Sequence, residues 1–291
     1  ILVKFGVFFA YWTKEWKGDY LHFAERVHRL GFDVLEVSAG ELLNMSDSDL
    51  RELRALTKDL GIEITSNTGL PRDKDIASPD PSVRRAGLKW VTEIMQAMDK
   101  LDSRVLAGVL YSHWPCDFSD VDKEAAWERG VEGVRSAAKV AESLGIDYCL
   151  EVVNRFETFI LNTSAEAVEY CKDVGSPNVK VLLDTFHMNI EEDNIGDAIR
   201  TAGEFLGHLH VGENNRKVPG KGHLPWAEIG QALRDIDYQG AVVMEPFVTM
   251  GGKIGEDIKV WRDLSNSATP EQLDQDVRES LQFLKEHFLR R

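Results

Sequence analysis

Apolar residues fall along this chain in two alternating rhythms. In the first, Leu50, Leu53, Leu56 and Leu60 step by 3, 3 and 4, and Trp127, Val131, Val134, Ala138 and Ala141 step by 4, 3, 4 and 3. That spacing puts apolar side chains on one face of an α-helix. The second rhythm is a short apolar run bounded by turn residues, the pattern of a strand buried on both faces. Eight such runs occur: Lys4–Ala10, Val34–Ser38, Glu63–Asn67, Arg104–Leu110, Tyr148–Val152, Val179–Asp184, Leu206–Val211 and Ala241–Glu245. A recurring junction joins the rhythms at Leu30-Gly31-Phe32-Asp33-Val34, Leu60-Gly61-Ile62-Glu63-Ile64 and Leu144-Gly145-Ile146-Asp147-Tyr148. In each, glycine follows the last apolar residue of a helical stretch, where a left-handed residue ends a helix.

A helical segment follows nearly every run, the last being Pro270–Phe288. Eight alternating βα units predict an α/β fold, a single-domain (β/α)8 TIM barrel over residues 1–291, an architecture that typically needs about 250 residues. A doubly wound open sheet would place a glycine-rich phosphate loop after the first strand, and Phe5-Gly6-Val7 is not one. The stretches Thr68–Asp75 and Pro246–Ser267 read as loops; long βα loops of a barrel cover the mouth where active sites lie.

Composition narrows the function. With 43% hydrophobic and 29% charged residues, the chain is neither disordered nor fibrous. Its 34 basic and 49 acidic residues leave a net charge of −15, which opposes binding to nucleic acid and to anionic membranes. No apolar run approaches the roughly 18 residues of a membrane helix. The start Ile1–Trp12 is apolar, but Lys4 and Gly6 interrupt it and no small-residue cleavage site follows, so no secretory leader is expected and the cytoplasm is the expected location. Three cysteines, Cys116, Cys149 and Cys171, are too few for a disulfide framework.

Catalytic groups of a barrel sit at the C-terminal ends of its strands. Four consecutive runs end here in potential metal ligands: Glu151, Asp184, His210 and Glu245, spaced by 33, 26 and 35 residues. Singly, a strand-end carboxylate is more often a cap or ion-pair partner, and a strand histidine a core residue. Three carboxylates converging at one rim repel one another unless a cation sits among them, so a divalent metal is expected. Three oxygens and one imidazole suit Mn²⁺, Mg²⁺ or Co²⁺ better than a thiolate-loving ion. By alternation Cys149 points inward with Glu151 as inert packing, and His208 shares a face with His210 as a support or core filler.

Further polar groups follow the same strand ends: Asn154, Arg155 and Glu157, then His187, then Glu213 and Arg216. Arg216 can offer a fork of hydrogen bonds to a sugar oxygen or enolate. Phe8, Trp12, Trp16, Trp114 and Phe247 gather on the rim by position, where aromatic faces pack on sugar C–H faces. Core packing is the expectation for Trp12 and Trp90, and Trp114, on the loop after the fourth strand, is the better platform.

Phe8-Phe9-Ala10-Tyr11-Trp12, Trp114-Pro115 and Glu151-Val152-Val153-Asn154-Arg155-Phe156-Glu157 resemble the ketose 3-epimerases. Leu183–Asp193, Gly207-His208-Leu209-His210 and Val243-Met244-Glu245-Pro246-Phe247 extend the likeness over nearly the whole chain, nearest to members acting on D-psicose (D-allulose) and D-tagatose. The resemblance implies a sugar-isomerase-like barrel with one Mn²⁺ or Co²⁺, or Mg²⁺, per subunit held by Glu151, Asp184, His210 and Glu245. It implies Glu151 and Glu245 as acid–base pair inverting C3 of a free ketohexose such as D-fructose, with Glu157, His187 and Arg216 binding substrate beside Phe8, Trp16, Trp114 and Phe247. It also implies a homodimer or homotetramer. Phe8 stands where many relatives carry Tyr, Ser66-Asn67-Thr68-Gly69 replaces a glycine-richer turn, and Asn214-Asn215 stands where Cys-Asn is common; these departures bear on substrate preference.

Two other readings use the same residues. An aldose–ketose isomerase shares the barrel but commonly needs a strand-end lysine, and Lys180 lies at the opposite end of its run. An endonuclease for abasic DNA needs extra histidines on early strands, and runs two to four end in none. A non-catalytic sugar- or metal-binding protein is the alternative outside enzymes.

Overall fold

The three Leu-Gly junctions end helices as their residues dictate: Gly31, Gly61 and Gly145 all take left-handed backbone, with φ of 88°, 68° and 64°. In each a strand begins two or three residues later. The computed structural model describes residues 3–289, so residues 1–2 and 290–291 of the expected domain lie outside the described residues. Eight strands alternate with helices: β1 (Lys4–Phe8), β2 (Val34–Ser38), β3 (Glu63–Asn67), β4 (Val105–Gly108), β5 (Asp147–Glu151), β6 (Val179–Asp184), β7 (Leu206–Val211) and β8 (Ala241–Met244). All pair in parallel with their chain neighbours, and β1 pairs with β8 to close the ring.

The helices are α1 (Tyr20–Leu30), α2 (Asp47–Leu60), α3 (Pro81–Leu101), α4 (Lys123–Leu144), α5 (Ser164–Val174), α6 (Thr185–Glu191), α7 (Ile195–Ala202), α8 (Trp226–Asp235), α9 (Gly252–Ile258) and α10 (Pro270–Phe288). Three start with a full capping box, Ser46 with Asp49, Thr163 with Glu166 and Thr269 with Gln272. Each such cap satisfies two orphan backbone donors, and its loss costs about 1 kcal/mol. Apolar helix faces pack on the strands, as with Leu50 and Leu53 of α2 and Val134, Ala138 and Ala141 of α4, all buried.

The ends of β2, β3, β6 and β7 match the sequence pattern; β5 spans Asp147–Glu151, one residue earlier than Tyr148–Val152, and β1, β4 and β8 differ for identifiable reasons. β1 stops at Phe8 because Phe9–Trp12 coil into a 3-10 turn whose Phe9 and Tyr11 remain buried, so apolar character runs through the turn unbroken. β4 stops at Gly108, whose φ of 124° breaks the strand before Val109 and Leu110. β8 ends at Met244, leaving Glu245 one residue beyond it. The stretch Pro246–Ser267 holds α9, and Thr68–Asp75 holds a 3-10 turn at Arg72–Lys74. No helix among the described residues is long and apolar enough to cross a membrane.

Candidate active site

The parallel register sets Asp184 directly across from His210, and the ends of β5 to β8 converge on one rim. Glu151, Asp184, His210 and Glu245 are all buried, each with a ligand atom within 4.8 Å of the others. His210 Nδ1 stands 3.4 Å from Glu245 Oε2, 3.8 Å from Glu151 Oε1 and 3.9 Å from Asp184 Oδ2. It makes no hydrogen bond of its own.

The other ring nitrogen explains why. His210 Nε2 lies 2.6 Å from Glu36 Oε1, and His208 Nε2 lies 2.7 Å from Glu36 Oε2, which also accepts from Thr65 Oγ1 at 2.7 Å. Burial works against charge on Glu36, but His210 and His208 outweigh it and hold the carboxyl well below the usual range. Each imidazole therefore donates from Nε2, and His210 turns Nδ1 to the rim; burial opposes charge on this ring, but Glu245 and Glu36 hold its pKa well above the usual value, so a cation bound at Nδ1 takes the place of a proton. Sequence reasoning missed Glu36. Its signal was present: one acid in the middle of the otherwise apolar, fully buried Val34–Val37 run.

Three buried carboxylates around one imidazole nitrogen favour positive charge or protonation. Burial pushes the Glu151 carboxyl up to about 8, with Glu245 and Asp184 adding to the rise against His210. Burial likewise raises Asp184. A divalent cation relieves this repulsion where protonation otherwise must. The donor set of three carboxylates and an imidazole nitrogen, backed by a carboxylate, could hold a hard divalent ion.

Beside these four, the turn after β5 organises a second group. The Asn154 backbone N–H donates to His187 Nδ1 at 3.1 Å, so His187 carries its proton on Nε2. That Nε2 faces Glu151 Oε1 at 3.8 Å. Burial lowers the His187 basicity, against Glu157 and Asp184, which raise it. Glu157 accepts from Asn154 Nδ2 at 2.6 Å and from Trp114 Nε1 at 3.0 Å. Burial opposes its ionisation, but His187, Arg216 and these two donors hold it below the usual range.

Arg216 enters from the loop after β7 with a left-handed φ of 65°, a conformation that costs a non-glycine residue some strain. Its guanidinium lies over the Phe186 ring at 3.7 Å and 5.2 Å from the Phe247 centroid. Arg216 NH1 is 3.7 Å from both Asp184 Oδ2 and Glu245 Oε2, and neither NH1 nor Nε makes a hydrogen bond. Buried guanidinium donors aimed at a carboxylate-lined rim can serve an oxygen bound there.

These groups open on a cavity of about 400 Å³, a volume within the range of small-ligand pockets. Phe8, Trp16 and Trp114 line it with Glu151, Glu157, His187, Arg216 and Glu245. Trp16 stacks near Phe8 at 6.2 Å and meets Trp114 edge-on at 6.2 Å. Phe247, expected on the rim, is 3% exposed and sits behind Trp16 and Arg216 instead of on the cavity wall. Trp12 leaves the site altogether, packing on Phe23 with its N–H on Asp274. Trp90, expected in the core, lines the cavity. Arg155 turns outward to pair with Glu191, and Glu213 holds the loop after β7 by accepting from Gly220, Leu224 and Trp226. Helix α9 adds Lys253 and Asp257 to the cavity wall; Lys253 Nζ is 2.9 Å from Asp257 Oδ1, and Asp257 Oδ2 takes the Trp16 N–H.

Residues 24–287 match the xylose isomerase-like TIM barrel family. The chain is 52% identical to the D-psicose 3-epimerase of Ruminiclostridium cellulolyticum over 97% of its own length and 96% of that protein. It is 34% identical to the L-ribulose 3-epimerase of Mesorhizobium japonicum over 80% of its length and 78% of that protein. Among solved structures, a D-psicose 3-epimerase crystallised with D-tagatose, from Clostridium cellulolyticum, superposes with a TM-score of 0.97 at 51% identity, covering 98% of this chain and 99% of that one.

Proposed function

The chain belongs to the xylose isomerase-like TIM-barrel family, and from that premise we propose that it is a ketose 3-epimerase acting on free ketohexoses, interconverting D-fructose and D-psicose (D-allulose) and also accepting D-tagatose. The observation that carries this reading is the pair of buried carboxylates, Glu151 and Glu245, flanking His210 Nδ1 in one sugar-sized cavity. The likeness to D-psicose 3-epimerases over nearly the full chain supports it.

Glu151, Asp184, Glu245 and His210 Nδ1 would hold one divalent ion, Mn²⁺ or Co²⁺ by preference or Mg²⁺, whose chemistry is to stabilise negative charge on neighbouring sugar oxygens. The protein groups do the rest. One carboxylate takes the proton from C3, and the C–H electron pair moves into an enediolate across C2 and C3. The other carboxyl then gives a proton to the opposite face of C3, and the C2 carbonyl re-forms. Exchange of roles between Glu151 and Glu245 makes the step reversible. His187 Nε2–H and the Arg216 donors are placed to meet oxygen charge as it develops, and Glu157 to accept from a sugar hydroxyl. Phe8, Trp16 and Trp114 give the sugar C–H faces an apolar wall, with Phe247 supporting Trp16 and Arg216. The same reading carries a homodimer or homotetramer and a cytoplasmic setting, the latter in keeping with three free cysteines.

The test is NMR of D-fructose incubated with Mn²⁺-loaded protein in heavy water. Deuterium at C3 together with D-psicose is the expected outcome. Label at C1 or C2, or an unlabelled aldose, would make the enzyme an aldose–ketose isomerase, and no change with fructose, tagatose or sorbose would leave a binding protein.

A further inference from the structure

The loop after β4 gathers another set of metal-binding side chains on a groove separate from the sugar cavity. His113, Cys116 and Asp117 each present a ligand atom, all within 4.8 Å of one another. The imidazole is held from behind: His113 Nδ1–H donates to Asp75 Oδ2 at 2.7 Å. Nε2 is thereby turned toward the loop, where the Asp117 backbone N–H lies 3.4 Å away; the Asp75 bond raises the imidazole pKa to about 10, so an ion bound at Nε2 takes the place of a proton. Asp117 Oδ1 lies 3.6 Å from the same nitrogen. Phe118, with a left-handed φ of 53°, turns the chain just after these ligands, and its N–H lies 3.4 Å from Cys116 Sγ.

We propose that His113 Nε2, Cys116 Sγ and Asp117 Oδ1 form a divalent-metal site suited to Zn²⁺, distinct from the carboxylate cluster at the barrel mouth. The donor chemistry separates the two. A thiolate, an imidazole and one carboxylate suit Zn²⁺, whereas three carboxylates and an imidazole suit harder ions. A carboxylate behind the ligating imidazole is the support that fixes ring orientation in metal sites. With Zn–S and Zn–N bonds of about 2.3 and 2.0 Å in a tetrahedron, the ligand atoms would stand ~3.5 Å apart, close to the 3.6 Å between His113 Nε2 and Asp117 Oδ1. Asp117 also pairs with Arg72 and accepts from Ser119 N and Oγ at 3.1 and 2.7 Å; the ion would share that carboxylate. The side chains of His113 and Asp117 are 15% and 34% exposed, so an ion in solution reaches them.

His113 and Cys116 bracket Trp114 and Pro115, which line the sugar cavity. Trp114 Nε1 and the Cys116 N–H both bond Glu157, the latter at its backbone carbonyl. An ion here would staple the loop that carries this wall.

Cobalt(II) is the probe, because a thiolate ligand gives it an intense near-ultraviolet charge-transfer absorption that oxygen and imidazole ligands do not. Titration should raise this band to saturation at one thiolate-bound ion per chain, and Zn²⁺ should bleach it. Cys149 and Cys171 are buried, and burial raises both thiols, Cys171 to about 12, so the band belongs to Cys116. It should vanish in Cys116→Ser and need at least tenfold more Co²⁺ in His113→Gln. Zn²⁺ should also protect Cys116 of the unaltered chain from iodoacetamide, which requires no variant. No band at millimolar Co²⁺, an unchanged band in Cys116→Ser, or no protection would overturn the site. None of these readouts depends on sugar turnover, so they stand apart from the epimerase reading.

Discussion

His210 Nε2 lies 2.6 Å from the carboxylate of Glu36, so a fully buried acid on β2 sets the direction in which an imidazole on β7 presents its other nitrogen. The same carboxylate holds His208 and Thr65, and thus ties β2, β3 and β7 together in the barrel interior. A buried anion with three donors is satisfied; with any one removed it becomes a liability.

Glu36→Gln tests that dependence. The amide offers one acceptor oxygen, so its NH₂ group must oppose an imidazole N–H or the Thr65 hydroxyl. We expect Mn²⁺ affinity, measured by calorimetric titration, to fall about 10–100-fold, together with a lower melting temperature. Unchanged affinity would mean that Glu36 serves the core alone.

If Glu151 and Glu245 act on opposite faces of C3, their loss should be asymmetric. Each Glu→Gln variant, assayed at saturating Mn²⁺ with metal content checked, should lose about 10²–10⁴-fold in epimerisation. Each should still exchange the C3 proton of one epimer with heavy water, a different epimer for each variant, because the surviving carboxylate can remove and return a proton on its own side. Loss of all exchange in both variants would assign these residues to metal holding only.

Arg216→Lys keeps the charge and removes the planar fork that lies over Phe186, 3.7 Å from its centroid. We expect kcat to fall on the order of 10²-fold, the scale of losing one donor aimed at developing oxygen charge, with a smaller change in KM. A change confined to KM would place Arg216 in ground-state binding.

How much of this was legible follows from what each signal encodes. The bounds of β2, β3, β6 and β7 coincide with apolar runs because turn residues bracket them. The convergence of Glu151, Asp184, His210 and Glu245 was readable because parallel strands of a barrel all end on one rim. Phe9–Trp12 defeated the pattern, since burial keeps a turn as apolar as a strand. Short α9 carries too few apolar residues to show a period, so Lys253 and Asp257 gave no sign of reaching the cavity. Trp90 shows the limit of reading an aromatic on a helix: α3 packs against the barrel, yet this ring lies where the helix passes the mouth.

Glu191 gives a pH dependence that can be checked away from the site. Hydrogen bonds from the Arg155 side chain and N–H hold its carboxyl below the usual range. A depressed folded pKa contributes stability above the unfolded value of about 4.5, and that contribution disappears as pH falls through the folded value. Arg155→Gln should therefore be less stable than the parent chain to urea at pH 6–7, and the gap should close on the acid side of pH 4. A gap that persists at low pH would come from packing rather than charge.

Asn67, at the end of β3, lines the cavity with a buried side-chain NH₂ that has no hydrogen-bond partner. It lies in the turn where the chain departs from the glycine-richer pattern of the family it resembles. A buried donor without a partner costs about 1–3 kcal/mol, and a substrate hydroxyl reaching it would recover that cost only in the complex. Asn67→Ala should accordingly raise KM for the preferred ketohexose about 10-fold with kcat little changed, because the contact would be the same in ground and transition states. The spread of KM among fructose, tagatose and sorbose should narrow in the same variant, since a directional donor discriminates between hydroxyl configurations and a methyl group does not. Equal KM values for parent and variant on all three sugars would remove Asn67 from substrate recognition.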